Sequence, residues 1–406
     1  MDKKIPEIRF KEFDGEWENH SLGEMFAERN ERSADGELIS VTIGQGIVKF
    51  SETGRVDSSS QDKSHYKKVY IGDIAYNSMR MWQGACGYSN YEGIVSPAYT
   101  VVYPIKESDV TYFYYSFKRE DTLYQFRINS QGLTSDTWNL KYQNFSKIEL
   151  SIPTVGEQKR IAKLFTTIDK LIDKLERKLE KLRNIKQALL NQMFINVNRG
   201  GYEAPLLRFV GYNEPWVMKQ LSEITERITR KNSNNVSSLP LTISAQYGLI
   251  DQREFFNSRI ASKDVSGYYL IKKGEFAYNK SSSEDYPYGV VKRLDKYKEG
   301  VLSTLYIVIA HKKDVINSDF LVSYYDTPIW YDDISKKAAE GARNHGLLNI
   351  STEDFFSTQL LIPSNISEQR LIGTFFKKLD DMLLSNSNKL IKLRHAKQSL
   401  LRKMFV

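Results

Sequence analysis

The sequence has little of what marks secreted, membrane or metal-binding proteins. Its 406 residues contain one cysteine, Cys86, and five histidines, and these do not fall at the spacings that ligate metals. No apolar run approaches the ~18 residues that a membrane-spanning helix needs. The opening segment MDKKIPEIRFKEF has no apolar core after its lysines, unlike a signal peptide. These absences predict a cytoplasmic protein that binds no metal.

Catalytic motifs are missing as well. The chain contains no GxxxxGK[ST] nucleotide-binding loop, so we expect it not to hydrolyse ATP by itself. The segment closest to the catalytic tetrapeptide of a methyltransferase, Ser96–Tyr99, lacks the Asn or Asp and the second Pro, and we interpret it as the entry to a strand. The sequence therefore predicts no catalytic residues.

The chain does have length and positive charge. At 47.0 kDa it is long for one hydrophobic core and suits two domains. Its net charge of +8 and isoelectric point near 9.1 favour a polyanionic partner.

The chain is organised around a predicted helix over Gly156–Phe194. Apolar side chains recur every seven residues and form one stripe along it. We place the seam with a partner helix at Ile161, Ile168, Leu175, Leu182 and Leu189. The second seam position is predicted at Leu164, Leu171 and Ile185, with Phe165, Ile172, Leu179 and Met193 beside them. So long a helix cannot bury its stripe alone and needs a partner helix.

The partner helix is predicted in the same chain, over Ser367–Phe405. It repeats the first helix at a constant offset of 211 residues, as in Glu157/Glu368 and Gln158/Gln369, although two unrelated amphipathic helices are the alternative. Its predicted seam residues are Ile372, Leu379, Leu393 and Leu400. Asn386 occupies the seam position equivalent to Leu175. A buried polar seam residue costs stability and tends to fix register, and a local bend is an equally good interpretation.

The repeat extends beyond the helices. Pro6–Glu24 matches Pro205–Glu223 at an offset of 199, and GDIAYN at Gly72–Asn77 matches GEFAYN at Gly274–Asn279 at an offset of 202. The chain is therefore predicted to be an internal duplication of one half-unit. The expected fold is α+β, with globular domains at residues 1–155 and 205–366, long helices at 156–196 and 367–406, and a linker at 197–204.

Short runs rich in β-branched and aromatic residues predict the strands of the two domains. They are Leu38–Ile43, Lys68–Ile71, Tyr99–Tyr103 and Ile148–Ile152 in the first, and Leu239–Ser244, Tyr268–Ile271, Leu305–Ala310 and Ser357–Ile362 in the second. Val110–Arg119 and Phe320–Tyr331 are the predicted short helices. We interpret Trp17 and Trp216 as core anchors.

Two similar basic domains on two long helices suit a DNA duplex. If the helices pack antiparallel, the domains lie at opposite ends in a pseudo-twofold arrangement and can reach two half-sites. Three loops of each domain carry residue types that contact bases or phosphates: the loop after GDIAYN or GEFAYN, the loop before the last strand, and the turn after Ile43 or Ile243.

The candidate DNA-binding residues are Gln45, Asn77, Arg80, Trp82, Gln83 and Gln131 in the first domain, and Gln246, Tyr247, Lys280, Ser281, Arg343, Asn344 and His345 in the second. Lys280 suits a phosphate rather than a base. For each of these residues a solvated loop side chain is the alternative. Because Asn77 and Asn279 recur in both domains, a supporting role in the frame is also open for them.

Several duplicated motifs resemble the DNA-specificity subunit of a type I restriction-modification enzyme over the full length of the chain. They are the P-x-x-R-F opening, the G-D-I-A-Y-N segment, the E-Q-x-x-I start of each long helix and its K-Q-x-L-L…M-F end. The resemblance implies two target recognition domains, each of which reads one half of a split asymmetric DNA site. It also implies an antiparallel coiled coil that sets the spacer and docks two methyltransferase subunits.

The same resemblance implies that partner subunits carry the chemistry. Methyltransferase subunits would transfer a methyl group from S-adenosylmethionine to adenine N6, and restriction and motor subunits would use ATP and Mg to cut unmodified DNA. This chain would then be no enzyme and bind no cofactor. The alternative is a non-catalytic coiled-coil scaffold with two protein-binding modules and no role on DNA.

Overall fold

The computed structural model describes residues 4–57, 59, 61–195, 204–258, 260–338 and 348–406. The chain divides into two compact units. The first comprises Met1–Glu176 and Asn388–Val406, and the second comprises Arg177–Ser387. Each long helix therefore contributes one segment to each unit. Apart from Ala204, the predicted linker lies outside the described residues.

The described residues of the first unit form short strands that pair antiparallel. They are β1 Glu18–Ser21, β2 Phe26–Glu28, β3 Ile39–Thr42, β4 Gly46–Lys49, β5 Lys67–Val69, β6 Ile74–Asn77, β7 Cys86–Tyr88, β8 Gly93–Val95, β9 Tyr99–Pro104 and β10 Glu149–Ile152. The largest sheet has the order β2-β9-β6-β7, and the remaining strands form the ladders β1-β10, β3-β4 and β5-β8. A turn at Ser96–Ala98 leads into β9, as predicted for the segment Ser96–Tyr99.

Helices cover one side of this sheet with aromatic side chains. They are α1 Leu22–Met25, α2 Val110–Ser116, α3 Glu120–Ile128, α4 Tyr142–Phe145 and α5 Val155–Met193, of which the part up to Glu176 belongs to this unit. Trp17 is 2% exposed and contacts the rings of Tyr112 and Phe405 edge-on, with ring centroids 6.2 and 6.3 Å away. The prediction of Trp17 as a core anchor is confirmed.

In the part of the second unit that the structure describes, the strands follow a corresponding order. They are β11 Trp216–Gln220, β12 Thr225–Ile228, β13 Leu241–Ser244, β14 Gly248–Asp251, β15 Tyr269–Lys272, β16 Phe276–Asn279, β17 Val290–Arg293, β18 Glu299–Leu302, β19 Ile307–His311 and β20 Gln359–Pro363. The largest sheet has the order β12-β19-β16-β17, and the ladders are β11-β20, β13-β14 and β15-β18.

The helices of the second unit are α6 Leu221–Ile224, α7 Gln252–Phe256, α8 Ser318–Tyr325, α9 Tyr331–Lys337, α10 Thr352–Phe356 and α11 Ile366–Lys403, of which the part up to Ser387 belongs to this unit. Trp216 is buried and contacts the rings of Phe194 and Phe320 edge-on, which confirms it as a core anchor. Both long helices begin one residue before and end one or two residues before the predicted bounds.

The recurring Arg, Glu and Gln residues attach each long helix to its globular part. In the first unit, Arg9 donates two hydrogen bonds of 2.9 and 2.7 Å to the carboxylate of Glu157. Gln158 accepts from the backbone N–H of Asp109, the N-cap of α2, and donates to Pro153 O. Because Glu157 and Gln158 are both buried and hydrogen-bonded, they fix the start of α5 against the globular part of this unit.

The second unit makes the same set of contacts. Arg208 donates to both carboxylate oxygens of Glu368 at 2.7 and 2.8 Å. Gln369 accepts from the N–H of Asn317, the N-cap of α8, and donates to Pro363 O. The residues that recur in the sequence therefore recur because they hold the same junction in each unit.

Within each unit, a segment of α5 also contacts a segment of α11. In the first, the Asp169 carboxylate lies 2.5 Å from Lys397 Nζ, and Glu176 pairs with Arg394. In the second, Lys186 Nζ lies 2.6 Å from the Asp380 carboxylate. The predicted seam residues are buried or half-buried at Ile161, Ile168, Leu175, Leu182, Leu189, Ile372, Leu379, Leu393 and Leu400.

Of the three residues predicted for the second seam position of α5, Leu164 is half-buried against the core but the other two are exposed. Leu171 and Ile185 are 47% and 38% exposed, whereas Phe165 is buried and Ile172 is half-buried. The buried stripe therefore follows each first seam residue by four positions rather than three, and a shift of one residue turns a side chain by about 100° around the helix.

Two short helices also differ from their prediction. The helix predicted over Val110–Arg119 ends at Ser116, and a separate helix, α3, begins at Glu120. The helix predicted over Phe320–Tyr331 ends at Tyr325 and resumes as α9, because Pro328 has no N–H to donate and disfavours a helical conformation in the residue before it.

Candidate nucleic-acid interface

The loop after β6, residues 77–84, is tightly folded. The Asn77 side-chain oxygen accepts from the N–H of Met79, and the Asn77 N–H donates to Ala85 O. A short 3-10 turn at Met81–Gln83 buries Met81 and ends at Gly84, whose φ of +81° suits glycine. Arg80 and Gln83 are left half-buried, at the surface of the loop.

The loop before the last strand, residues 130–139, is a closed hairpin. Gln131 and Asn139 exchange two backbone hydrogen bonds of 3.0 and 2.8 Å. Gly132 has a φ of +134°, and a Cβ there would lie 2.5 Å from Thr137 O, so glycine allows the hairpin to close. The side chain of Gln131 is exposed.

An aromatic contact joins these two loops. The rings of Trp82 and Trp138 pack edge to face with centroids 5.1 Å apart, and the Trp82 indole N–H donates to Met79 O. The N–H of Leu140 donates to Ser78 O, so the backbones meet as well. The guanidinium of Arg127, on α3, lies 5.1 Å from the Trp138 ring and places a positive charge beside both loops. Sequence reasoning missed Arg127.

The β3–β4 turn belongs to the same cluster. Gln45 is exposed at the turn, where its N–H donates to the Thr42 hydroxyl. The ammonium of Lys118, between α2 and α3, donates to Ile43 O at 2.9 Å and also to Gly84 O. The structure therefore brings together all three loops that the sequence selected in the first unit. We call them the first loop cluster: residues 43–46, 77–84 and 130–139.

Lys118 is another residue that sequence reasoning missed. Its ammonium lies 5.2 Å from the ring centroid of Tyr114, and burial lowers its pKa, with a smaller contribution of the same sign from Lys397. In the described part of the chain no ion pair joins Lys118 to a carboxylate. No signal in the local sequence distinguishes this lysine from a solvated one.

In the second unit the candidates are placed less completely. Gln246 and Tyr247 are exposed at the β13–β14 turn. Lys280 was predicted to hold a phosphate. Its ammonium donates to Ile350 O at 3.1 Å, and its backbone carbonyl accepts from the N–H of Leu348. Ser281 is exposed and its N–H donates to the Asn279 side chain. Arg343, Asn344 and His345 lie outside the described residues.

Near the β13–β14 turn the second unit has a cavity of about 150 Å³, lined by Tyr247, Lys292, Arg293, Lys296 and Asp326 among others. Asp326 pairs with Lys292 at 3.0 Å and with Lys186 at 2.8 Å. Burial opposes the ionisation of Asp326, but the two ammonium groups outweigh it and lower its pKa. Burial raises the pKa of Asp380, which shares Lys186. The Asp326 carboxylate is thus shared between two lysines, of which Lys292 also lines the cavity.

Among the residues that the structure describes, no three His, Cys, Asp or Glu side chains lie close enough together to hold a metal ion. None of the helices in the same residues is both long and apolar enough to cross a membrane.

Comparison with known proteins points to one family. Residues 14–184 match the family model of the type I restriction modification DNA specificity domain. The specificity subunit of the type I restriction enzyme MjaVIII from Methanocaldococcus jannaschii is 23% identical over 124 residues. This match spans 30% of the chain and only 28% of that subunit.

Solved structures extend the likeness to the whole chain. The type I restriction-modification S subunit from M. genitalium superposes with a TM-score of 0.62 at 13% identity, and the match covers 99% of both chains. A chain from a structure that describes complex assembly and conformational transition of a type I system has a TM-score of 0.50 at 13% identity. That match covers 96% of this chain and 97% of the other.

These matches confirm the resemblance that the duplicated motifs indicated. The family match lies in the part of the chain that contains the first loop cluster, and the structural matches show the fold over both units. Residues 14–184 are therefore similar to the type I restriction modification DNA specificity domain, and the chain shares its fold with the solved S subunit over 99% of its length.

Proposed function

We propose that this chain is the DNA-specificity subunit of a type I restriction-modification complex, and that residues 1–155 and 205–366 each read one half of a split asymmetric site. The observation that carries this proposal is the first loop cluster. Three loops far apart in sequence, selected for their base-reading side chains, are joined by Lys118 and by the Trp82 and Trp138 pair. A surface assembled from loops in this way can present several side chains to one groove.

The side chains of the cluster suit direct readout of bases. The guanidinium of Arg80 can donate two hydrogen bonds to guanine O6 and N7, and the amide of Gln83 or Gln131 can pair with adenine N6 and N7. Arg127, beside Trp138, has the charge and position for a backbone phosphate. Counter-ion release from such phosphate contacts would supply much of the affinity.

We further propose that α5 and α11 form an antiparallel coiled coil that sets the spacer between half-sites and docks two methyltransferase subunits. The support is the order of the contacts within each unit. As residue numbers rise along α5 from Asp169 to Glu176, those of their partners fall from Lys397 to Arg394. The second unit repeats the pair Asp169 and Lys397 as Asp380 and Lys186, with the helices exchanged. This is what an internal pseudo-twofold repeat requires.

The proposal assigns the chemistry to partner subunits in the cytoplasm. Methyltransferase subunits would bind S-adenosylmethionine and methylate adenine N6, and restriction and motor subunits would bind ATP and Mg. This chain would contribute no catalytic residue and hold none of these cofactors. Its own task would be to bind double-stranded DNA at the target and present it to those partners.

The test is to co-express the chain with a type I methyltransferase subunit in a methylation-free host and to map N6-methyladenine across the genome. We expect a split motif with a fixed gap. In the double variant Arg80→Ala/Gln83→Ala, one half of the motif should relax while the other stays, because each lost bidentate contact removes about 1–3 kcal/mol of base discrimination.

The control is Gln143→Ala/Lys147→Ala, which likewise removes one amide and one positive charge from the same unit, but at exposed positions outside the loop cluster. It should leave both halves unchanged. Relaxation of both halves by the Arg80 and Gln83 variant would contradict the modular assignment. A stable complex that methylates no motif, together with a chain that prefers no duplex sequence, would replace the proposal with the scaffold function.

A further inference from the structure

Lys118 occupies an unusual environment for a cation. It lies where α2 ends and α3 begins, with its ammonium directed at two backbone carbonyls, Ile43 O and Gly84 O, and beside the ring of Tyr114. These two carbonyls are 75 and 34 residues away in sequence. The lysine therefore bonds to both segments, which also pack against each other where Gly46 meets Cys86 and Gly87.

Removing a lysine ammonium from water is costly unless other groups replace the hydration. Here an ion pair with a carboxylate does not provide the replacement among the described residues, and the two carbonyls and one aromatic face do. Hydrogen bonds from a charged donor are roughly twice as strong as those from a neutral donor. The position of each carbonyl is thus coupled strongly to the position of this one side chain.

Both carbonyls belong to candidate reading loops. Ile43 lies at the start of the β3–β4 turn that exposes Gln45, and Gly84 ends the loop that carries Arg80, Trp82 and Gln83. Gly84 itself fits closely, since a Cβ there would approach the Lys118 side chain to 3.3 Å. One half-buried lysine therefore bonds to the backbone of both loops.

We propose that Lys118 is a positioning residue for the recognition of one DNA half-site, because it holds the β3–β4 turn and the loop at 77–84 at a fixed separation. This inference rests on the proposed function. Base readout requires donors placed to a fraction of an ångström, so loops that move independently discriminate less well even when every base-contacting side chain is retained.

The second unit shows that the arrangement is specific to the first. Lys118 follows the N-cap of α2, Asp109, by nine residues, and the residue nine positions after Asn317, the N-cap of α8, is Asp326. Asp326 pairs with Lys186 and Lys292 rather than with loop carbonyls. Loss of Lys118 should accordingly affect one half-site and leave the other intact.

The experiment compares Lys118→Met, Lys118→Arg and Lys147→Met in the full-length chain, co-purified with a co-expressed methyltransferase subunit. Methionine keeps much of the length of the side chain and removes the donor, arginine keeps a charged donor, and Lys147 is an exposed lysine of the same unit. Selection from a randomised duplex library measures discrimination at each half-site. Hydrogen exchange of the amides measures the loops without DNA.

We expect Lys118→Met to reduce discrimination at one half-site about tenfold, similar to the loss of one good base contact, and to leave the other half-site unchanged. Amide exchange should rise in residues 43–47 and 78–85 but not in β9. Lys118→Arg should restore most of the discrimination, and Lys147→Met should behave as the wild type. A variant that had failed to fold would raise exchange throughout the first unit, β9 included.

Three results would overturn the inference: unchanged exchange in both segments, equal loss at both half-sites, or loss with Lys147→Met as large as with Lys118→Met. If the wild-type complex selects no split motif, the proposed function itself is contradicted, and with it the role of Lys118 in specificity. The exchange measurement would still show whether Lys118 couples the two segments.

Discussion

The two units share the order of their central sheets and the contacts at the start of each long helix, but they differ in the residue at one equivalent position. In both, an Arg and Glu pair and a Gln fix the long helix to the globular part, and the central sheets have the same strand order. After the helix that follows this sheet, the first unit has Lys118 and the second has Asp326. The lysine is bonded to two loops, whereas the carboxylate is bonded to α5 and β17. The two units therefore share the junction between long helix and globular part, while the residue after the short helix makes different contacts in each.

The largest expected effect comes from breaking the shared part. Glu368 is fully buried against Arg208, as Glu157 is against Arg9, so Glu368→Ala leaves a largely buried guanidinium without its carboxylate. We expect each of Glu157→Ala and Glu368→Ala to lower the free energy of unfolding by about 3–5 kcal/mol. Chemical denaturation followed by hydrogen exchange in each unit measures the loss.

Each substitution should act on its own unit first. The control is Glu120→Ala, which removes an exposed ion pair with Arg402 and should cost well under 1 kcal/mol. If either substitution alone lowered the stability of both units equally, the two units would unfold together and would not be separate structural units.

A smaller effect is expected from the position where the units differ. Asp326→Asn removes the charge shared by Lys186 and Lys292, and we expect a loss of about 2–3 kcal/mol in the second unit. Because the two lysines lower the pKa of Asp326 despite its burial, its stabilisation is present at neutral pH and is lost as the pH falls through the lowered pKa.

The difference between wild type and Asp326→Asn should therefore be full at pH 7 and shrink as the pH falls below about 4, the ordinary pKa of an aspartate. Urea denaturation at several pH values measures it, with Asp381→Asn, at an exposed position of α11, as the control. A difference that grew on acidification would mean that Asp326 is held neutral and that the contrast with Lys118 is not one of charge.

The smallest effect concerns the two long helices. Asn386 is buried in α11, where its side-chain N–H donates to Met382 O, while the equivalent position of α5 is Leu175. We expect Asn386→Leu to raise the free energy of unfolding by about 1 kcal/mol, because a buried amide gives way to an apolar side chain. Thermal unfolding measures the gain. A loss of stability instead would mean that the hydrogen bond to Met382 shapes a bend that the helix needs.

Much of the fold was predictable because its determinants are local. A seven-residue apolar period specifies a long helix wherever it occurs, and α5 and α11 were predicted to within two residues. The second seam position was not, since spacings of three and four residues are both compatible with a heptad and only the packed partner selects between Leu171 and Ile172. The break near Pro328 was readable from the sequence and was overlooked.

The candidate site was predictable only in part. Residue chemistry selected three loops in the first unit, and the contact between Trp82 and Trp138 shows that two of them meet. Arg127 and Lys118 were missed because each lies in or beside a helix and gains its place from residues distant in sequence. No local pattern predicts that Lys118 will bond to the carbonyl of Ile43, which lies 75 residues earlier.

The sequence by itself determined the long helices, the duplicated motifs and the residue types of the candidate loops, because these depend on periodicity and on recurrence along the chain. The tertiary structure alone decided which loops converge and which charges are buried. Those outcomes depend on contacts between distant segments. In such contacts the desolvation of one ammonium or carboxylate is offset by whichever groups the fold places around it.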